Sequence, residues 1–136
     1  MDTLTRERRS YLMSRVRRSN TKPELLVRQL LHALGCRFRL HVAGMPGRPD
    51  IVMPRRRAVV FVQGCFWHRH KRCVKASTPA SNAKFWSDKF ARNVNRDRRN
   101  FRELRKAAWQ VIVVWECETK NLNALRLRLT RELRLR

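Results

Sequence analysis

The apolar positions recur at two periods, and each period predicts a kind of element. Residues 1–19 are basic and polar, with Tyr11, Leu12 and Met13 as their compact apolar cluster. They read as a short helix or an arm that orders on a partner. Leu26, Leu30 and Leu34 then recur every four residues with Val27 and Leu31 beside them, the face of an amphipathic helix. Thr21-Lys22-Pro23-Glu24 opens that helix as a capping box with an early proline, and Gly35 closes it. Residues 37–43, RFRLHVA, alternate as a strand does, and residues 44–47 form a turn. Residues 49–53 and 58–63 predict two more strands joined by a hairpin loop, and residues 64–82 are irregular. A helical pattern from about residue 81 to 108 carries the stripe Phe90, Val94, Phe101, Leu104 and Ala108. VIVVW at 111–115 is apolar on both faces, so it is expected inside the sheet. Leu122, Leu125, Leu129 and Leu133 predict a final helix over 121–136. The order α-β-β-β-α-β-α predicts one α/β domain with a mixed central sheet flanked by helices.

Charge narrows the function classes. The chain has 136 residues, which suits one domain, and its 43% hydrophobic residues suffice for a core. Thirty-three Lys and Arg face ten Asp and Glu, a net charge of +23. Such a surface attracts polyanions, nucleic acid first, and the planar fork of arginine suits phosphate and guanine edges. A G+C-rich genome would also enrich arginine. An anionic membrane fits less well, because no single basic amphipathic helix stands out at the N-terminus. No stretch approaches the ~20 apolar residues of a membrane span. A soluble, cytoplasmic protein is the expectation.

In so basic a chain, each carboxylate has to be accounted for. Asp50 follows Pro49 and precedes a buried-looking strand, where a carboxylate is costly unless paired. Either an arginine or a divalent metal that also meets DNA phosphate would resolve this, and spacing alone favours the arginine. Asp97 falls on the apolar stripe, three residues after Val94 and four before Phe101, so it needs an interior partner such as a histidine or arginine. Glu24 completes the capping box, and the same helix end could serve a metal site.

Cysteines and histidines suggest a second chemistry. Cys65-x4-His70-x2-Cys73, with Cys117 after the last core strand, supplies three thiols and an imidazole, a common structural zinc set. Buried free thiols are the alternative. Cys36 reads as a packing residue. Spacing does not decide between His68 and His70; whichever is free of zinc suits general acid or base work. Phe66, Trp67, Phe85 and Trp86 either pack in the core or stack on and wedge between bases.

The motifs PGRPDIV at 46–52, FVQGCFWHRH at 61–70, FW at 85–86, NVNRDRRN at 93–100 and VIVVWEC at 111–117 occur in one order and spacing. Over roughly residues 5–120 the chain therefore resembles the very short patch repair (Vsr) DNA mismatch endonucleases, whose core is that of type II restriction enzymes. The resemblance implies a Mg²⁺-dependent endonuclease with structural Zn²⁺, which nicks one strand 5′ to the thymine of a T:G mismatch left by 5-methylcytosine deamination. It implies that Asp50 and the Val62 carbonyl hold Mg²⁺, that His68 is the general base, and that Asp97 and Glu24 support the site. It also implies that Cys65, His70, Cys73 and Cys117 hold zinc. Phe66, Trp67 and Trp86 would wedge from the major groove and Met13 from the minor groove, with Arg48 and Gln63 also meeting DNA. Residues 1–20 would be the DNA-contacting arm or helix, 21–120 the endonuclease domain, and 121–136 a basic helix of the same domain.

The expected partner is duplex DNA with a T:G mismatch. Mismatch-repair proteins are further candidates, no membrane is involved, and the chain acts as a monomer at the bacterial nucleoid. Other readings are a restriction-like nuclease of different specificity and a non-catalytic zinc-stabilised nucleic-acid-binding module. Three features depart from the family pattern: Gln63 stands where a histidine is found, the loop from His70 to Cys73 is one residue longer, and the tail beyond about Thr119 carries no family signature.

Overall fold

The computed structural model describes residues 20–77 and 81–135. Helix α1 spans Lys22–Ala33, strand β1 Arg39–Leu40, β2 Ile51–Met53 and β3 Ala58–Gln63. Helix α2 spans Ala83–Lys106, β4 Gln110–Trp115 and α3 Leu122–Glu132. The four strands form one sheet in the order β1-β2-β3-β4. β1, β2 and β3 pair antiparallel, and β4 joins β3 in parallel after the α2 crossover. The sheet is mixed and flanked by helices, as the element order predicted.

Strand alternation sorts side chains onto two cores. Ile51, Met53, Val60, Ile112 and Val114 face α1 and α3, where Val27, Leu31, Leu125, Leu129 and Leu133 cover them. Val52, Val59 and Phe61 face the other way and pack with Leu104 of α2. One face of each strand thus feeds one core.

Three expectations shift. The 37–43 strand shrinks to Arg39–Leu40, because His41 turns into the left-handed region at φ 47°. The strand at 111–115 ends the sheet rather than lying inside it. Its two-faced apolarity reflects helices above and below, since Ile112 and Val114 belong to one core and Val111 packs on the other. On α1 the fully buried line is Glu24, Val27 and Leu31, while Leu26, Leu30 and Leu34 sit half-buried at its rim. Cys36 is buried in the first core, the packing role expected.

Gly47 is the glycine the site requires. Its φ is 73°, and a Cβ there would come within 3.0 Å of Asn100 and 3.1 Å of Phe61. Only a bare backbone lets the loop before Asp50 lie this close to α2 and β3.

Candidate active site and metal centres

Two clusters of metal-capable side chains stand among the described residues. Cys65, His70, Cys73 and Cys117 bring ligand atoms within 4.8 Å of one another, as do Glu24, His41 and Asp50.

In the first cluster, Cys65 and His70 come from the loop after β3, and Cys117 from the 3₁₀ turn after β4. His70 Nδ1 lies 3.6 Å from Cys65 Sγ and 3.4 Å from Cys117 Sγ. Ligands on one tetrahedral zinc, with bonds of 2.3 Å to sulfur and 2.0–2.1 Å to nitrogen, lie about 3.6 Å apart. The donor set and its geometry therefore fit zinc. The His70 ring stacks on Trp115 at 4.3 Å, which sets its plane. Burial pushes the Cys65 thiol up to about 12, and the neighbouring Cys117 and Cys73 thiols add to the rise. A bound cation would reverse that preference and draw off the protons.

The second cluster lies where β1, β2 and the start of α1 converge. Asp50 is the residue before β2, and its Oδ2 accepts from the Val62 amide on β3 at 2.7 Å. Glu24, at 2% exposure, does two jobs. Thr21 Oγ1 caps its amide, and its own Oε2 accepts from the Asn20 amide and from Arg28. Glu24 Oε1 meets His41 Nε2 at 3.0 Å. The cap reading and the site reading of Glu24 are thus both visible in one side chain.

Among the described residues, no arginine pairs with Asp50, the partner that spacing favoured. Among the described residues the nearby guanidinium, Arg28, pairs with Glu24 instead. Burial, first, and the adjacent Glu24 carboxyl raise Asp50 to about 7, against the lowering effect of the Val62 amide. Burial also pushes Glu24 up, but the His41 and Asp50 hydrogen bonds and the Arg28 charge outweigh it and leave Glu24 below its usual range. Of the two carboxyls, Asp50 is the one that burial and its neighbour make readier to hold a proton. A buried acid that keeps a proton for want of a cation is suited to exchange that proton for one.

His68 lies three residues beyond Cys65 on the zinc loop. Its Nδ1 meets Asp97 Oδ2 of α2 at 2.6 Å. Of the histidine or arginine expected as the interior partner of Asp97, the fold supplies the histidine. The contact fixes the tautomer and leaves Nε2 as the proton acceptor. Cys65, His70 and His68 belong to one short loop, so whatever fixes the thiol cluster also fixes the position of His68.

The aromatic residues pack together. Phe66 meets Trp67, Trp86 and Phe90 edge-on at 5.1, 5.8 and 5.1 Å. Trp86 is buried, Phe66 and Trp67 are half-buried, and Phe85 at the margin is 50% exposed. Phe85 is thus the most open ring of the group. Arg48 is exposed on the loop before Asp50. Gln63 is buried at the end of β3 and offers a partner almost no surface in this conformation. Met13 lies outside the described residues.

Sequence reasoning missed His41. The signal was its symmetry with Asp50 about the Met45–Pro46 turn. The β1–β2 register, with Leu40 opposite Ile51, carries His41 opposite Asp50, and the His41 amide donates to the Asp50 carbonyl at 3.1 Å.

The chain thus combines a mixed sheet, a half-buried acid entering one strand, a carboxylate-held histidine on the loop after the next, and a strongly basic composition. The homing endonuclease I-Bth0305I catalytic domain shares the fold, with a TM-score of 0.57 at 16% identity over 82% of this chain and 93% of that one. The family model of the DNA mismatch endonuclease Vsr matches residues 1–75. The type II nicking enzyme V.XorIIP of Xanthomonas oryzae pv. oryzae is 52% identical over 128 residues, 94% of this chain and 93% of that protein. The DNA mismatch endonuclease Vsr of Escherichia coli K12 is 39% identical over 117 residues, 86% of this chain and 74% of that protein. The chain belongs to the DNA mismatch endonuclease Vsr family. It is a DNA endonuclease, and the family chemistry depends on a divalent metal. No helix among the described residues is long and apolar enough to cross a membrane.

Proposed function

We propose that the protein nicks one strand of duplex DNA 5′ to the thymine of a T:G mismatch and so begins very short patch repair. The observation that carries this reading is the cluster of half-buried Asp50, buried Glu24 and His41, whose ligand atoms lie within 4.8 Å of one another where Asp50 enters β2. Asp50 and the Val62 carbonyl hold Mg²⁺, with Glu24 as the auxiliary acid. Bound there, Mg²⁺ stabilises charge on the scissile phosphate and its leaving oxygen. His68 accepts the proton of the attacking water at Nε2 while Asp97 holds Nδ1 and stabilises the imidazolium. Cys65, His70, Cys73 and Cys117 bind Zn²⁺ and hold the loop that carries His68. Arg48 meets backbone phosphate. Phe66, Trp67 and Trp86 open the stack beside the mismatch, Met13 enters from the arm of residues 1–20, and Gln63 is a further candidate for a DNA contact. The unit works as a monomer in the bacterial cytoplasm at the nucleoid, with mismatch-repair proteins as further partners.

One observation favours a second reading of specificity. Identity to the Xanthomonas nicking enzyme exceeds that to the E. coli mismatch endonuclease, which fits a flanking-sequence preference of the chain's own. End-labelled duplexes test both. One carries a single T:G pair in varied flanks, its twin carries T:A, and each is incubated with and without Mg²⁺. A Mg²⁺-dependent nick confined to the thymine strand of the mismatch is the expected result. Equal cutting of both duplexes would make the enzyme restriction-like, and tight binding without cutting would leave a binding module.

A further inference from the structure

We infer that His41 is the third protein ligand of the catalytic metal, and that it shifts the site's preference from Mg²⁺ toward a first-row transition ion such as Mn²⁺. The inference rests on the reading of Asp50 as the catalytic metal carboxylate.

The placement of the three side chains supplies the geometry. Each carboxylate is anchored by one oxygen, Asp50 Oδ2 by the Val62 amide and Glu24 Oε2 by Asn20 and Arg28. The other oxygen of Glu24 turns toward His41, and the Glu24 and Asp50 carboxyls hydrogen-bond each other, so the three side chains converge on one point. His41 Nε2 stands 3.0 Å from Glu24 Oε1, and all three residues offer ligand atoms within 4.8 Å. Two neighbouring ligands of an octahedral ion with bonds of about 2.1 Å lie about 3.0 Å apart, and opposite ligands about 4.2 Å apart. The Glu24–His41 separation matches neighbouring ligands of one ion, and Asp50 lies within 4.8 Å of both, close enough for the three to draw in around it.

His41 is held there deliberately. Its backbone lies in the left-handed region at φ 47°, where a β-carbon is strained, and its amide is tied to the Asp50 carbonyl. Such strain persists where the surroundings over-determine it, and it collects at functional sites. The side chain is 19% exposed, so solvent and phosphate can reach the remaining coordination positions.

Donor chemistry supplies the preference. Carboxylates, carbonyls and water suit Mg²⁺, whereas an imidazole nitrogen favours the first-row transition ions. Mn²⁺ accepts both donor types and still binds phosphate oxygen. A site of two carboxylates and one imidazole is therefore not built for Mg²⁺ alone.

The test uses the full-length, zinc-loaded protein without DNA, titrated with Mn²⁺ and followed by electron paramagnetic resonance, with Mg²⁺ as competitor. We expect one Mn²⁺ per chain beyond the zinc, bound at least about tenfold more tightly than Mg²⁺, with ¹⁴N coupling from a ligating imidazole. His41→Gln keeps a hydrogen-bond donor for Glu24 but removes the imidazole. It should lose the ¹⁴N coupling and weaken Mn²⁺ by at least about tenfold while leaving Mg²⁺ within a few fold. A His41→Gln protein that binds Mn²⁺ as tightly as the parent, or a parent with no ¹⁴N coupling, overturns the inference. Asp50→Asn separates the two readings. If it abolishes Mn²⁺ binding while His41→Gln does not, only the role of His41 fails. If Asp50→Asn binds Mn²⁺ normally, the metal reading of Asp50 fails with it.

Discussion

The two donor clusters of this chain differ in nearly every physical respect. The Cys65–His70–Cys73–Cys117 cluster is soft, comes mostly from one loop, and supplies the four ligands that close a tetrahedron. The Glu24–His41–Asp50 cluster is hard apart from one imidazole, comes from three separate elements, and with only three protein ligands would leave an octahedral ion positions for solvent and phosphate. A closed sphere contributes to folding and gives a substrate no foothold. An open sphere offers little to the fold and has room to act on phosphate. His68 connects the two, because the zinc loop carries it while α2 supplies Asp97 to orient it. On the proposed reading, a chain of this size would separate the metal that holds a loop from the metal that works on DNA.

The largest expected effect comes from removing the open cluster. Asp50→Asn should abolish nicking and leave DNA affinity within a few fold, read by single-turnover cleavage beside a binding titration. Retained metal-dependent cutting would sink the assignment of Asp50. His68→Ala comes next, with a loss of about 10²–10⁴-fold in nicking rate and an unchanged zinc content. Should zinc be lost as well, His68 and His70 have exchanged roles. Cys117→Ser acts on the closed cluster and should lower zinc occupancy and the melting temperature, by about 5 °C or more. A parent-like zinc stoichiometry of one per chain in that variant would remove Cys117 from the ligand set.

The smallest effect sharpens the contrast through pH. Asp50, raised to about 7 in the folded metal-free protein, returns to about 4 on unfolding. Between those values the folded protein holds a proton that the unfolded chain has released. Stability from this group is therefore greatest below about pH 4 and declines as pH rises toward 7. Glu24, held low by His41, Asp50 and Arg28, contributes in the opposite sense over a lower window. Asp50→Asn should flatten the melting-temperature profile of metal-free protein between pH 5 and 8 by a few degrees. An identical slope in parent and variant would show that Asp50 is already ionised. For the same reason metal-limited nicking should rise as pH passes through about 7 and level off above it.

The contrast also explains what was legible in the sequence. The thiol set shows as local spacing around His70, and the structure gathers those four residues as the spacing suggested. Asp97 betrayed itself by interrupting an apolar stripe, which is why a histidine or arginine partner was expected, and His68 stands there at 2.6 Å. The α1 cap, β3 and the long α2 followed from periodicity and turn chemistry. The open cluster was harder to read because its members meet only through tertiary pairing. Glu24 had a sufficient local role as a cap. Asp50 had a plausible arginine partner that the fold gives to Glu24. His41 sat in what looked like an ordinary alternating strand, and only the strand register places it opposite Asp50. The place of β4 in the sheet was likewise hidden, because burial on both faces looks the same whether strands flank a segment or helices cover it.

The division of labour can be tested in one diffraction experiment. Crystals of the full chain equilibrated with Mn²⁺ would be measured above and below the zinc and manganese absorption edges. The account predicts a zinc peak among Cys65, His70, Cys73 and Cys117 and a separate manganese peak between Glu24, His41 and Asp50. Manganese absent from the acid cluster, or zinc absent from the thiols, would contradict it.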